Sequence, residues 1–509
     1  MIRQFDAMTF LTREDIEKHS SRQSCWVAIH GSVYDVTDFI DEHPGGPQVI
    51  LRCAGRDATA DFDSVHDQSL LTEALAPSCL KGRIQPGTLS APTSSSSSPT
   101  TSAPNPLPKI LATTPPGPSP TPPAPPLTTL INLHDFEKVA HQHLPPHAWA
   151  YYASGADDEL STHNNAKAYR KISLRPRILR SIRAVDTSTA ILGQKVSLPV
   201  YMSPTGIAKL AHADAECALA RAAGHEGVAQ VLANGASMPI ERVRAARTNP
   251  QQPLFAQLYV NKDIKKSVET VRRAVEAGAC GIWVTVDSPV VGKREMDERL
   301  NLEVQVRLYS DGGKRCSQWA MEQARDSSAR GQGVAKTMAS SISPFIDWDI
   351  LTWLRDLTDL PIVIKGIQCV EDAVLAYQHG VQGIVLSNHG GRSQDTAQPP
   401  LVTLLEIRRH APYLIGSRMQ IFVDGGIRRG TDVLKALALG ASAVGLGRPF
   451  LYGLAAGYGE EGVRRVIAIL RQEIEANMVF LGVTTLSELG PHLLNATRLE
   501  RDVVGEVKL

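Results

Sequence analysis

Ser387-Asn388-His389-Gly390-Gly391-Arg392 sets a histidine and an arginine three residues apart on a glycine-loosened turn. Histidine can take a proton near neutral pH, and arginine presents a planar fork matched to a carboxylate. The chemistry suggested is proton removal beside a substrate carboxylate. The bland alternative is a strand-end turn carrying a solvated arginine. Immediately upstream, Gly383-Ile384-Val385-Leu386 reads as a short buried strand.

The elements that would hold this turn lie in the long segment from Leu130 onward. Short apolar runs recur at 198–203, 228–233, 254–260, 281–286, 361–365, 383–386, 420–423 and 443–446. Helical patterns fall between them, for example over 263–277, 370–379 and 431–439, with a closing helix over 461–477. The runs are aliphatic and nearly continuous, as parallel strands covered on both faces must be. Eight such strands with intervening crossovers predict an α/β chain with a (β/α)8 TIM barrel. A doubly wound open sheet is the runner-up, but its glycine-rich first turn is missing.

Residues just past barrel strands form the active face. Those positions hold Pro204-Thr205-Gly206, Tyr259, Asp287, Lys365, His389 with Arg392, Asp424 through Arg428, and Gly447-Arg448. The insertion from Leu300 to Ser343 follows strand 4 on the same face, and its Gly, Ser, Arg and Gln content suggests a mobile lid. At the last two strand ends, Asp424-Gly425-Gly426-Ile427-Arg428-Arg429-Gly430 and Gly445-Leu446-Gly447-Arg448-Pro449 combine glycines with arginines. That pairing, after strands 7 and 8, favours a phosphate-bearing ligand. Lys365 would be a core oddity without a negative partner. A reduced flavin ring supplies one, because its charge develops near N1.

Two further histidines stand near the N-terminus. His43 lies in Phe39-Ile40-Asp41-Glu42-His43-Pro44-Gly45-Gly46, and His66 follows 23 residues later. Two opposed imidazoles can ligate haem iron axially and leave no open position, which favours electron transfer over oxygen binding. Either histidine alone reads as an ordinary surface residue. Between this region and the barrel, residues 87–129 form a Pro/Ser/Thr-rich linker that includes Ser94 through Ser98. Its proline half, Pro115 to Pro126, favours a semi-extended tether. The expected division is 1–86, 87–129 and 130–509.

Bulk composition narrows the function classes. With 53 Lys+Arg against 52 Asp+Glu, nothing points to a nucleic-acid partner. Seven scattered cysteines without CxxC spacing argue for reduced thiols and against a zinc site. No apolar run is long enough for a membrane span, and the first residues resemble neither a signal peptide nor a transit peptide. A soluble intracellular protein is the default expectation.

The region 130–509 resembles the FMN-dependent 2-hydroxy-acid dehydrogenase/oxidase family. The resemblance rests on Tyr151-Tyr152-Ala153-Ser154-Gly155-Ala156, Gln257-Leu258-Tyr259, Thr285-Val286-Asp287, Ser387 to Arg392, and Asp424 to Asp432. It implies that His389 is the base and that Asp287 pairs with its imidazolium. It also implies that Arg392 and Tyr151 hold the carboxylate with Arg294 nearby, and that Tyr259 bonds the substrate hydroxyl. Lys365 would stabilise anionic reduced FMN. Pro204, Thr205, Gly206, Gln257, Thr285 and Ser387 would line the flavin, while Asp424, Gly425, Gly426, Arg428, Gly447 and Arg448 would hold its ribityl phosphate arm.

The segment around Cys25-Trp26-Val27-Ala28-Ile29-His30-Gly31 and His43-Pro44-Gly45-Gly46 resembles cytochrome b5, a small α+β haem domain, with His43 and His66 as the ligands of haem b. A haem module tethered ahead of a flavin barrel is the arrangement of the flavocytochrome b2 group. The combined resemblance implies oxidation of an L-2-hydroxy acid, L-lactate foremost, with electrons passing from FMN through haem b to cytochrome c. It further implies a homotetramer, cytoplasmic or in the mitochondrial intermembrane space. The alternatives are an oxidase that uses oxygen, a larger substrate such as mandelate, and a haem-binding carrier on an inactive barrel. Ala233, Gly206 and Gly235 depart from the commoner family residues, and the two glycines suggest a roomier pocket. Ser393-Gln394 replaces the usual pair after the arginine.

Overall fold

A computed structural model describes residues 10–43, 47–63, 65–66, 68, 70–84, 122–300, 334–339 and 341–507. Most of the expected linker, the Pro44-Gly45-Gly46 turn and residues 301–333 of the expected lid lie outside the described residues.

Eight parallel strands close into a barrel: strand 1 (Val200–Met202), strand 2 (Ala229–Leu232), strand 3 (Leu254–Leu258), strand 4 (Ile282–Thr285), strand 5 (Ile362–Ile367), strand 6 (Gly383–Leu386), strand 7 (Gln420–Asp424) and strand 8 (Ala443–Leu446). Each coincides with one of the apolar runs. Every strand lies between the packed barrel interior and the helical ring, so both of its faces want apolar side chains. Helices Ile264–Glu276, Val370–Gln378 and Gly430–Ala438 stand where the periodicity places them. The closing helix, Gly459–Leu481, is longer than expected at both ends.

The interior is filled by Tyr201, Val231, Phe255, Trp283, Val363, Val385 and Phe422, all 2% exposed or less. Trp283 stacks on Phe422 at 5.3 Å and meets Tyr201 at 5.0 Å. An antiparallel hairpin, Thr189–Ile191 with Gln194–Val196, inserts Ile191 and Val196 into the same cluster. Gln420 fastens the hairpin: its Nε2 donates to the Ala190 carbonyl and its Oε1 accepts from the Leu192 amide. This closes the N-terminal end of the barrel and leaves the C-terminal end open for chemistry.

Strand 5 differs from its expected extent. It continues past Lys365 to Ile367, with a register shift between those residues. Gly366 sits at φ +117°, and a Cβ there would fall 2.6 Å from the Asp287 Cβ. The bulge therefore needs glycine and lets the strand 4 turn approach.

The N-terminal module is a five-stranded sheet in the order Phe10–Leu11, Leu80–Ile84, Ser32–Asp35, Ser24–Ile29, Ser20–Ser21. Short helices, Pro47–Cys53, Thr59–Asp63 and Leu70–Ala74, accompany it. Cys25, Val27, Ile29, Val36, Ile40, Leu51, Ala58 and Leu71 make a core separate from the barrel's. Among the described residues, no helix is long and apolar enough to cross a membrane.

Candidate active site

His389 follows strand 6 with φ +56°, a left-handed conformation rare for a residue with a side chain and the kind of strain that gathers at functional sites. The turn is pinned from behind. Asn388 and Asn165 exchange two amide hydrogen bonds of 2.8 Å, and the Gly391 amide donates to Asn388 Oδ1. Asp287, from the turn after strand 4, places Oδ1 2.7 Å from His389 Nδ1 and accepts from Lys365 Nζ at 3.1 Å with Oδ2. Lys365 also donates to Ser387 Oγ at 3.1 Å and lies 3.9 Å from Asp424 Oδ2. Four strand ends, those of strands 4 to 7, thus build one charged relay.

Burial alone would raise the Asp287 carboxyl, but the His389 ring and the Lys365 ammonium outweigh it and hold the group below the ordinary carboxylate range. Burial works against the Lys365 charge, yet Asp287 and Asp424 keep that ammonium charged with its pKa raised. Burial lowers His389, Asp287 opposes the shift, and Lys365 adds to it; the net direction is down. The ring is therefore neutral at pH 7. Asp287 can only accept, so the proton sits on Nδ1 and the Nε2 lone pair faces the cavity. Tyr259 Oη stands 3.4 Å from that nitrogen, and burial followed by the Asp287 charge raises the phenol, which stays protonated as a donor.

Arg392 donates to the backbone carbonyls of Tyr151, Tyr152 and Ser154 at 2.7–2.9 Å, and its guanidinium lies 5.5 Å from the Tyr151 ring centroid. Arg294 Nε donates to the Arg392 carbonyl at 3.4 Å. Burial, then the Arg294 and Arg448 charges, depress Arg392. The Arg392 and Arg294 guanidinium groups on one cavity wall make an attractor for a carboxylate.

The same cavity is lined by Pro204, Thr205, Gly206, Gln257, Lys365, Asp424, Gly425, Gly426, Arg428, Gly447 and Arg448, together with Tyr151, Tyr259, Arg294, His389 and Arg392. Thr285, Ser387 and Asp287 are not on the wall. Thr285 Oγ1 accepts from Gln257 Nε2 at 2.8 Å, and Ser387 Oγ accepts from Lys365 and from the His389 amide, so these two position wall residues from behind. Arg448 donates to the carbonyls of Tyr152, Gly390 and Ser154, which ties it into the wall.

The arrangement fits a flavin mononucleotide. Asp424 Oδ1 and Ser203 Oγ are buried without a hydrogen-bond partner in a polar wall, a state that ribityl hydroxyls would relieve. Gly426, at φ +81°, packs so closely on Asn165 that a Cβ would lie 2.4 Å from its carbonyl carbon. Arg428 lines the wall beside it. Lys365 offers a buried cation where a reduced ring would be negative.

In the N-terminal module, the His43 and His66 rings lie 5.8 Å apart, centre to centre, at 90°. Imidazole nitrogens bind first-row metals at about 2 Å, so rings on either side of one iron have their centres about 6 Å apart, and the slot fits. Burial, then His43 and Lys209, push the His66 ring down to about 4, which leaves it neutral as a ligand must be.

Several contributors carry no local signature. Ser288 Oγ lies 3.2 Å from His389 Nδ1 and 2.8 Å from Ser393 Oγ, which gives the unusual Ser393 a partner. Asn165 acts across 223 residues on Asn388, and Glu216 acts on Ser237 and Met238 across 21 and 22. A cavity wall formed by Ala335, Ala339, Ser341 and Ile342 belongs to the expected lid. That segment is anchored where Lys262 donates to the Ser341 carbonyl and Ser343 to that of Val260.

The chain matches an FMN-dependent dehydrogenase family over residues 140–496 and a cytochrome b5-like haem/steroid-binding domain over 12–85. It is 39% identical over 502 residues to the L-lactate dehydrogenase (cytochrome) of Wickerhamomyces anomalus, covering 98% of this chain and 82% of the relative. Glycolate oxidase of Spinacia oleracea is 40% identical over 360 residues, 71% of this chain and 94% of the relative. Among solved structures, the recombinant flavin-binding domain of baker's yeast flavocytochrome b2 superposes with TM-score 0.65 at 41% identity, over 76% of this chain and 91% of that one. A mandelate oxidase with (S)-4-hydroxymandelic acid gives 0.62 at 34%, over 72% and 98%. The relay, the cavity and the bis-histidine slot thus agree with sequence kinship: the chain belongs to the FMN-dependent dehydrogenase family and carries a cytochrome b5-like haem domain ahead of its barrel.

Proposed function

We propose that the chain oxidises an L-2-hydroxy acid, L-lactate foremost, to the 2-keto acid and delivers the electrons to cytochrome c. The observation that carries this reading is a neutral His389, backed by Asp287, opening on the same cavity as Tyr259 and the Arg392–Arg294 cluster. Arg392, Arg294 and Tyr151 bind the substrate carboxylate. Tyr259 donates to the substrate hydroxyl, and His389 accepts a substrate proton at Nε2. Asp287 then stabilises the imidazolium, while Lys365 keeps the flavin end of the cavity positive. When bound, FMN would supply a two-electron acceptor for the substrate, and haem b, which His43 and His66 would hold, a one-electron carrier. Pro204, Thr205, Gly206 and Gln257 hold the ring, and Asp424, Gly425, Gly426, Arg428, Gly447 and Arg448 hold its arm. On the same reading the chain works as a homotetramer, in the cytoplasm or in the mitochondrial intermembrane space.

His389→Gln should retain both cofactor absorption bands and lose flavin reduction on anaerobic mixing with L-lactate; near-normal reduction sinks the assignment. Removing residues 1–86 separates this reading from an oxidase: cytochrome c reduction should fall, whereas undiminished oxygen turnover as the main activity would favour the rival. A larger substrate is favoured by one observation. A Cβ on Gly206 would lie 3.1 Å from the Gly235 carbonyl oxygen and 3.5 Å from Tyr151 Oη, so its absence widens the wall beside the carboxylate cluster. A panel of lactate, glycolate, mandelate and longer 2-hydroxy acids, ranked by kcat/KM, decides between the two.

A further inference from the structure

The helix Leu160–Arg170 precedes the barrel strands in the chain and carries an unusual buried face. Ser161 is 0% and Asn165 1% exposed, and the two stand about one helical turn apart. A buried helix face is ordinarily apolar. This one is polar because it meets the backbone of two loops. The Ser161 amide donates to Asp395 Oδ1 at 2.8 Å, and its hydroxyl donates to the Ala397 carbonyl at 3.1 Å. Both partners lie in the loop after strand 6, which begins with the His389 turn.

Asn165 reaches a second loop as well. Its side chain exchanges two amide hydrogen bonds with Asn388, the residue before His389. The Gly391 amide and the Gln398 carbonyl fill the rest of the Asn388 amide's capacity, so its orientation is fixed. On its other side Asn165 meets the loop after strand 7. A Cβ on Gly425 would lie 3.1 Å from Asn165 Nδ2. One on Gly426 would lie 2.4 Å from the Asn165 carbonyl carbon and 2.6 Å from the Ala166 nitrogen. Both glycines have positive φ, and both line the cavity that fits the flavin.

We infer that Asn165 is a positioning residue that couples the loop holding the flavin arm to the orientation of the His389 turn. One residue supports both, so a shift of either loop is passed to the other. An amide suits the role because it donates and accepts at once and brings no charge to disturb the relay. Without it, the buried Asn388 amide would lose two of its bonds, and an unsatisfied buried group is costly enough to make the turn rearrange. His389, held at φ +56°, is the residue with strain to release.

The inference rests on the reading that His389 is the base in 2-hydroxy-acid oxidation, and the test separates the two. Full-length, haem-loaded wild type, Asn165→Ala and Ser161→Ala would be compared, the last because Ser161 shares the helix but bonds to the strand 6 loop. FMN titrated into the flavin-free proteins should bind Asn165→Ala at least about fivefold more weakly, the change expected for one lost hydrogen bond. On anaerobic mixing with saturating L-lactate, flavin reduction per bound FMN should slow at least about tenfold, since a misplacement of about 1 Å can cost a hundredfold. KM should stay within about threefold, because the carboxylate cluster is untouched. Ser161→Ala should stay near wild type in every measure.

A wild-type reduction rate or an unchanged FMN affinity in Asn165→Ala overturns the inference, because Asn165 would then serve one loop alone. Equal losses in Ser161→Ala overturn it too, since the helix as a whole would be what was weakened. If Asn165→Ala does not fold, Asn388→Ala removes the same amide pair from the other side. Slower reduction together with weaker FMN binding then supports the coupling, and either one at its wild-type value overturns it. A wild type whose flavin no 2-hydroxy acid reduces would instead overturn the functional reading, and the FMN affinity of Asn388→Ala would judge the coupling.

Discussion

Asp287 Oδ1 lies 2.7 Å from His389 Nδ1, and this contact decides which face of the imidazole is free for chemistry. The carboxylate cannot donate, so the ring proton is drawn to Nδ1 and the lone pair is left on the cavity side. Its other oxygen is held by Lys365, which stops the carboxylate from rotating away. Asp287→Asn keeps the shape but loses the negative charge that stabilises the protonated ring. The rate of flavin reduction should fall by about a hundredfold or more, within the range that positioned acid–base groups supply. Stopped-flow reduction by L-lactate measures it, and an unchanged rate would show that His389 does not work as a base.

The same geometry fixes the pH dependence. A base must be neutral, and burial together with Lys365 lowers His389 below its ordinary value of about 6.5. Activity should therefore be level near pH 7 and be lost as pH falls through the depressed pKa, on the acid side of 6.5. Removing Asp287, which opposes that depression, should move the acid limb lower still. The profile of kcat/KM from pH 5 to 9 reports the free enzyme. A limb above pH 7 contradicts the assignment.

Lys365 is almost fully enclosed between Asp287 and Asp424. Lys365→Met leaves two buried carboxylates without their cation, a change that costs about 3–5 kcal/mol when one partner of a buried pair is lost. Chemical denaturation monitored on the cofactor-free chain should show this loss, and Lys365→Arg should recover part of it. Full stability in the methionine variant would mean that the carboxylates are already protonated.

Much of this was legible in the sequence, for physical reasons. The eight strands show as apolar runs because barrel strands are covered on both sides. His389, Arg392, Asp287 and Lys365 stand out because charged groups at the ends of such runs have no structural excuse. The hairpin at 189–196 was not legible: it is short, and only its packing beneath Trp283 and Phe255 makes it necessary. Lys365 marked a strand end in sequence, yet the strand runs on because Gly366 permits a bulge against Asp287. Ser288, Asn165 and Glu216 remained silent because their partners are distant in the chain. No spacing rule connects Asn165 to Asn388 or Ser288 to His389.

Ser288 yields a prediction of its own. Its hydroxyl lies 3.2 Å from His389 Nδ1, beside the shorter Asp287 contact, and 2.8 Å from Ser393. A neutral hydrogen bond of this kind contributes about 1 kcal/mol, which corresponds to roughly a fivefold change in rate. Ser288→Ala should therefore slow flavin reduction by that order and leave the carboxylate affinity unaltered. A loss as large as that of Asp287→Asn would show that the serine, and not the aspartate, governs the ring.

Gly206 tests the size of the substrate pocket. A methyl group placed there meets the Gly235 carbonyl at 3.1 Å and Tyr151 Oη at 3.5 Å, so it fills space beside the carboxylate cluster without entering the relay. One methyl group at a pocket wall changes discrimination by about 10- to 200-fold. Gly206→Ala should therefore lower kcat/KM for mandelate relative to lactate by at least about tenfold, with the larger loss on the aromatic substrate. Because His389, Asp287 and Lys365 are untouched, the pH profile with lactate should keep its acid limb. If the ratio between the two substrates does not move, the opening at Gly206 faces the flavin side of the cavity and does not set the size of the acid accepted.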